Sequence, residues 1–582
     1  MKTPCGLGSL AAIDFVVLRA RPDQGRKPAR LTRFAALALL TALGLATELP
    51  PVFGYATGDA AGGKLSHQWI TAQGWQLYRS QFGPSEIDGF LGLSTIYPTA
   101  AMSTVMEGIF AEDEQERNPY GQGATPVLGA VNHPSLRHFW TPNADFSRNF
   151  DRGLELFIPP IIVPPVIFPP RTVTYDSAAN RGIKYFTGGR DAVGVADPEW
   201  GGGQGAMANI GIEQYYNLPT RRDDAYYYLG HAAHLLQDLT LPAHSQGDQH
   251  LEVSGVGVNP DPVHDWVDGI DFSSSIFTNP ARRASFDDVN GVRYGRWRFI
   301  ASSGGVGRPE NAASILTGDL RSPSQMLDLA FNSTLDDPEI IASIPGALLN
   351  SIRPLYYQML ESASISDDFD ARNAKGQVDL GNRGDLNGII PDLNNYDNWT
   401  PAELDGVADV VVPRAMRATA ELFRFFYSRV DPTPPELEVL GFSPSADHPT
   451  AVIIQPGESV VVKFLGTDLV SGIDLDGFDV SVAMFNPATM TWGAAIERNN
   501  RTLPGGGPIG MESFQNLAHG LYRARVANEN GGGFRGQSAF AYFQVVPEPA
   551  TLALAALAAA WPATRRLRGR RGGNLDQPYG SA

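Results

Sequence analysis

Residues 226–244 read YYYLGHAAHLLQDLTLPAH. The run reads as helix, so His234 and Asp238, four positions apart, leave it on one face. Pro242 is expected to end that helix and leave His244 in the following turn. Twenty residues further on, His264 and Asp268 in HDWVD repeat the same four-residue spacing. Two such pairs and a turn histidine supply imidazole nitrogens and carboxylate oxygens, the donors that zinc takes. One His–Asp pair a turn apart is usually a surface hydrogen bond or ion pair. Five candidate ligands in ordered spacing, in a chain with ten histidines, point instead to bound metal.

Written as LGxxxHxxxDxxxPxH, the segment LGHAAHLLQDLTLPAH resembles the core motif of the zinc-dependent phospholipase C and single-strand nuclease superfamily. The resemblance implies a helical domain, a cluster of two or three zinc ions and further ligands upstream. His67, in SHQWIT, is similar to the family's first-helix histidine, which shares its zinc with the amino terminus of a mature tryptophan. Here the preceding PVFGYATGDAAGGKLS contains no tryptophan. GIFAED resembles the segment that ends in a carboxylate ligand, which makes Asp113 the candidate and Glu112 its competitor. RHFW resembles the next ligand segment and selects His138 over His133, while AANRGIKYF resembles the helix before the metal helix.

By this resemblance, Asp113, His138, His234 and Asp238 hold one zinc, and His244, His264 and Asp268 a second. His67 shares a third with a bridging Asp238. The implied activity is hydrolysis of a phospholipid phosphodiester by zinc-bound hydroxide, with Asp113 and Asp238 in catalytic roles. Family phospholipases carry Glu where Asp268 stands and the nuclease branch carries Asp, whereas LTLPA sits closer to the phospholipase side. A single-strand nuclease and a non-catalytic zinc-containing envelope or matrix protein stand as the alternatives.

The 582 residues leave room for two or three domains. The single cysteine, Cys5, lies in a segment expected to be removed, so packing and metal must hold the mature chain together. Six basic residues between Arg19 and Arg33 precede the apolar run FAALALLTALGLA, the layout of a secretory signal within residues 1–56. At the other end VPEPATLALAALAAAWPATRRLRGRR resembles a PEP-CTERM sorting signal over 546–571, followed by a tail at 572–582. That resemblance implies an exosortase-type partner and an exported, envelope-associated bacterial protein. The formal charge is −17, and the basic ends (+5 and +4) leave about −26 on the body. Such a field repels polyanions and disfavours a nucleic-acid substrate.

The expected fold is mainly α over 57–430, followed by a small all-β immunoglobulin-like sandwich. Two insertions interrupt the helical domain. Residues 154–170, LELFIPPIIVPPVIFPP, repeat an apolar triplet with paired prolines, which excludes helix and favours polyproline II. Such an arm either packs over a groove or, through 157–169, touches a membrane surface. Residues 366–399 are rich in Asp, Asn and Gly and read as a solvated loop, with Ca2+ binding through their oxygens as the alternative. Apolar periodicity at Ile315, Leu320, Met326 and Leu329, and again at Leu348–Met359, predicts helices. A closing helix runs from Pro401 to about Val430, with Pro413 a kink or fresh start. Asp431–Pro435 (DPTPP) is a stiff linker, after which the period changes to two. Strands are expected at 451–454, 459–464, 478–483, 521–526 and 539–545, within a β-sandwich over 436–545.

Overall fold

Glycine decides how closely the central helices meet. In the computed structural model α1 (Ser66–Phe82), α2 (Ile87–Phe90), α3 (Val105–Ala111), α4 (Ala178–Thr187), α5 (Ile212–Tyr216) and α6 (Arg222–Asp238) build the first part of the helical domain. A Cβ on Gly108 would lie 1.8 Å from the Tyr227 carbonyl oxygen, and one on Gly230 would lie 2.1 Å from that of Val105. Only glycine at both positions lets α3 and α6 touch backbone to backbone. The structure describes residues 66–92, 104–112, 137–140, 152–158, 161–163, 166–168, 171–197, 200, 210–246, 263, 267, 299–301, 307–309, 318–330, 344–367, 401–444, 451–454, 458–502 and 508–547.

Helix α6 ends at Asp238, and the chain turns through a Leu241 N–H to Asp238 carbonyl bond of 2.8 Å. Pro242 then starts α7 (Pro242–Gln246) instead of only stopping α6. Proline suits a first helical position because its missing N–H would have no partner there. His244 therefore sits in a short helix, not in the irregular turn that the sequence suggested. After α7 come α8 (Pro323–Leu327), α9 (Arg353–Asp367) and α10 (Pro401–Val430). Among the described residues of 318–329 the periodicity yields α8 and a 3-10 turn at Asp328–Ala330, whereas α9 answers the helix expected over Leu348–Met359 but starts at Arg353. Helix α10 continues as one thirty-residue helix through Pro413, so there is no fresh start. Val411, Val412, Ala415 and Met416 around that proline are all buried, and their packing offsets the lost backbone bond.

The proline-rich arm departs from expectation. It forms strands β1 (Arg152–Ile158), β2 (Ile161–Val163), β3 (Val166–Phe168) and β4 (Arg171–Asp176), with β1 antiparallel to β4 and β2 antiparallel to β3. Between the proline pairs each apolar triplet finds a cross-strand partner, for example Ile162 opposite Ile167. Ladder bonds thus satisfy backbone groups that polyproline II leaves to water. The prolines at 159–160, 164–165 and 169–170 lie outside the described residues.

A small hairpin of β5 (Phe299–Ala301) and β6 (Gly307–Pro309) precedes the C-terminal β region. There, β7 (Glu436–Ser443), β8 (Ala451–Ile454), β9 (Ser459–Thr467), β10 (Phe478–Asn486), β11 (Thr491–Arg501), β12 (Ile509–Gln515), β13 (Gly520–Glu529), β14 (Arg535–Gln537) and β15 (Ala541–Pro547) form two sheets. One has the order β11-β10-β13-β15-β8 with β14 on β13, and the other β12-β9-β7. Val460, Val462, Phe464 and Phe514 from the smaller sheet meet Val480, Val482, Tyr522 and Phe543 from the larger in one apolar core. The helical part and the β part are in direct contact. Leu475 N–H and Ile473 N–H each donate 2.8 Å bonds to the carbonyls of Gln81 and Phe82 at the end of α1. Arg424 of α10 pairs with Glu529 of β13. The linker is also tied down, since Asn530 donates to the Thr433 carbonyl at 2.7 Å.

Several expected features lie outside the described residues: the signal segment, Asp113, His133, His264, Asp268, most of the 366–399 insertion, and the sorting segment and tail beyond Pro547. Among the described residues, no helix is long and apolar enough to cross a membrane.

Candidate metal centre

Asp238 is the last residue of α6 and is fully buried. Three histidines from three other or neighbouring turns converge on it. His67, from the first turn of α1, places Nε2 3.4 Å from Asp238 Oδ1. His234, one turn back on α6, places Nε2 3.2 Å from Asp238 Oδ2. His138, in the 137–140 segment, brings Nδ1 to 2.8 Å from Asp238 Oδ2. His67 and His234 stack with ring centroids 3.9 Å apart, and one ligand atom from each of His67, His234 and Asp238 falls within a 4.8 Å span. His244 joins from α7, its ring stacked on Phe139 at 4.7 Å and its centroid 6.4 Å from that of His138. All four histidines are completely buried.

Local structure fixes each ring. His234 Nδ1–H donates to the Ile109 carbonyl at 2.8 Å, a contact made possible by the glycine crossing of α3 and α6. His244 Nδ1–H donates to the His138 carbonyl at 3.0 Å, while Trp140 N–H returns a 3.0 Å bond to the His244 carbonyl. His67 Nδ1–H donates to Gln237 Oε1 at 2.8 Å. A carbonyl oxygen only accepts, so in these three rings Nδ1 holds the proton and Nε2 carries the lone pair. This is the arrangement in which an outer partner sets the tautomer of a metal-binding histidine.

Electrostatics follow from burial. Burial alone would raise the Asp238 carboxyl, but the His234, His244 and His138 rings beside it, in their protonated form, outweigh that and hold it well below the usual range. Burial, with His234 alongside, pushes His67 down to about 4. Neither effect brings a permanent cation. Among the described residues, the ion-pair partners of Asp238 are imidazoles only.

Behind His138 lies a second buried layer that spacing alone did not reveal. Glu112 Oε1 is 3.7 Å from His138 Nε2 and 2.6 Å from Arg181 Nε. Its Oε2 accepts from Tyr185 Oη at 2.6 Å and from His231 Nδ1. Burial would raise the Glu112 carboxyl, yet Arg181 and His231 hold it well below its ordinary range. Glu112 lies against the histidines, and Asp113, the carboxylate weighed beside it, lies outside the described residues. His231 stands three positions before His234 on α6, and Arg181 and Tyr185 stand four apart on α4; this spacing groups residues within each helix but does not show that the two helices meet at Glu112.

No protein-family model matches the chain, and no curated protein matches it in sequence. Among solved structures it is similar to the alpha-toxin of Clostridium perfringens from an avian strain, at 13% identity over 84% of this chain and 98% of that one, with a TM-score of 0.28. The alpha toxin of Clostridium absonum matches at 10% identity, with the same coverage and TM-score. A Pseudomonas fluorescens alkylpurine DNA glycosylase, bound to DNA containing an abasic site analogue, matches at 11% identity over 54% of this chain and 88% of that one, with a TM-score of 0.14. TM-scores this low carry no argument about activity.

Proposed function

We propose that the chain is a zinc-dependent phosphoric diester hydrolase of the phospholipase C type. One observation supports this above the rest. A fully buried carboxylate, Asp238, is surrounded by imidazoles whose tautomers aim lone pairs inward, and no lysine or arginine among the described residues neutralises it. Burying a carboxylate without a cation costs several kcal/mol. The neutral nitrogens and carboxylate oxygens present here are the donor set that zinc prefers. His67, His234 and Asp238 would hold zinc, with His138 and His244 beside them. In this reading Asp113, His264 and Asp268 complete the set.

A bound zinc ion supplies Lewis acidity and lowers the pKa of its water to about 7. The chain's own residues do the remaining work. Asp238 would set its two oxygens against His67, His234 and His138 and so hold those rings around the ion. Glu112, held ionised by Arg181, offers an acceptor behind His138 for a proton on Nε2. Ile109, Trp140, Leu235 and Leu241 are buried around the centre and exclude bulk water from it.

The negative body and the apolar arm at 157–169 favour a phospholipid over a nucleic acid. The basic–apolar start and PEP-type tail favour export and exosortase-type sorting in a bacterium. The C-terminal β region reads as an immunoglobulin-like module. The test is hydrolysis of short-chain phosphatidylcholine and of single-stranded DNA by chelator-treated protein, before and after zinc is restored. Zinc-dependent release of the phosphorylated head group supports the reading. Zinc-dependent cleavage of DNA alone moves the chain to the nuclease branch, and turnover of neither leaves a zinc-containing envelope protein.

A further inference from the structure

We propose that Gln237 is a positioning residue whose amide sets the tautomer of His67 and so prepares that ring for metal; the inference rests on the metal-centre reading above. A glutamine amide has a donor end and an acceptor end of nearly the same shape, and its neighbours decide which way it faces. Thr419 Oγ1 on α10 donates its hydrogen to the Ala415 carbonyl at 2.8 Å, so that oxygen is left to accept. Gln237 Nε2 donates to it at 3.0 Å and to Thr71 Oγ1 on α1 at 2.8 Å. The NH2 end is thereby held between two threonines, and Oε1 is turned to His67 Nδ1 at 2.8 Å.

Every member of this relay, Gln237, Thr71, Thr419 and His67, is fully buried. Water cannot substitute for a missing partner there at low cost. Close packing holds the parts in reach, because a Cβ on Gly74 of α1 would lie 2.8 Å from the Met416 carbonyl of α10. Gln237 precedes Asp238 on the same helix, and adjacent helical residues point about 100° apart. It therefore acts on the centre through His67. Helix α10, which contributes none of the proposed ligands, governs one of them through Thr419. If the amide turned over, its NH2 would face Nδ1, and the proton would move to Nε2, where a metal needs a lone pair.

Two variants separate this role from mere packing. Gln237→Met keeps the volume and removes the acceptor. Thr71→Val combined with Thr419→Val leaves His67 and Gln237 intact but removes what holds the amide. The full chain, labelled with [15N]histidine and stripped of metal, reports the His67 tautomer by NMR, and zinc affinity is read by competition with a chromophoric chelator. Wild type should show the Nδ1–H tautomer. Both variants should shift His67 towards Nε2–H and bind zinc about 10- to 100-fold more weakly, the usual cost of losing an outer-shell partner. Gln237→Glu, which still accepts from Nδ1, should restore the wild-type tautomer, and thermal unfolding checks that each variant folds. Unchanged tautomer and unchanged zinc affinity in folded variants would overturn the proposal. Wild type that binds no zinc would overturn the metal-centre reading instead, and the NMR signature would still decide whether Gln237 sets the ring.

Discussion

Carboxylates wholly or partly withdrawn from water in the two halves of this chain are accommodated in three ways. Glu361 of α9 and Glu421 of α10 are both buried, and Arg321 bridges them with bonds of 2.8–2.9 Å to Glu361 and 2.9 Å and 2.5 Å to Glu421. Arg414 adds a further pair to Glu361, and Arg417 lies 2.9 Å from Glu421. Permanent cations from within the chain close that account. Asp474, where the β region meets the helices, has no described ion pair, and burial pushes its carboxyl up to about 6, towards the neutral form. Asp238 follows neither route. It stays ionised among imidazoles, at least one of which, His67, is driven neutral by burial. A cluster balanced by arginine is complete as a structural part. One built of imidazole nitrogens around a carboxylate has a donor set that could take a cation from outside.

The largest effect is expected at Asp238. Asp238→Asn keeps the shape but removes the charge, and phosphodiester turnover should fall by about a thousandfold or more, since zinc supplies several kcal/mol of transition-state stabilisation. Steady-state rates on a soluble phosphodiester at saturating zinc check this. Turnover within tenfold of wild type would remove Asp238 from the mechanism.

Arg321→Met should act in the opposite way. Taking a bridging cation from two buried glutamates should cost about 3–5 kcal/mol in denaturant unfolding. Zinc content per folded chain should stay as in wild type, because Arg321 is no part of the Asp238 surround. Loss of zinc from folded Arg321→Met protein would mean that the two clusters are not independent.

Metal removal sharpens the contrast further. At free zinc one hundred times its Kd, the bound ion should stabilise the fold by about 2.7 kcal/mol. Chelation should therefore lower the thermal midpoint of wild type and leave that of Asp238→Asn unmoved. Differential scanning with and without chelator reads the difference.

The smallest effect is expected at Asp474. Its folded pKa, about 6, lies above the ordinary 3.8, so the folded state holds that proton more tightly than the unfolded state does. The resulting stability is fully present below pH 3.8 and is lost as pH rises through about 6. Because Asp474 is only partly covered, about 2 kcal/mol is expected. Asp474→Asn, which mimics the neutral acid, should exceed wild type by that amount at pH 7 and equal it near pH 3.5. A constant difference at both pH values would contradict the assignment.

How much of this was legible in the sequence depended on the distance over which the chemistry is organised. His234 and Asp238 share a helix face, so spacing alone paired them. His244 was read from the turn after that helix, while His67 and His138 came from resemblance; the structure sets His67 and His138 against Asp238 and His244 beside His138. The network of Glu112 with His231 escaped because its members are 119 residues apart and meet only where Gly108 crosses Gly230. A glycine in a helical pattern does not announce which backbone it will touch. The proline arm was misread because paired prolines dominate local preference, whereas cross-strand pairing between them depends on a partner further along the chain. In the β region, β11 passed unseen since most of its residues are exposed and show no alternation. Strands buried on one face, such as β9 and β10, stood out by their period of two.

Zinc per chain, measured by elemental analysis on folded wild type and Asp238→Asn after equilibration with excess zinc and removal of the unbound ion, tests the central claim most directly. Two or three zinc ions are expected per wild-type chain, with a sharp fall in the variant and Arg321→Met unchanged. Wild type that retains no zinc, or a variant that retains as much as wild type, would contradict it.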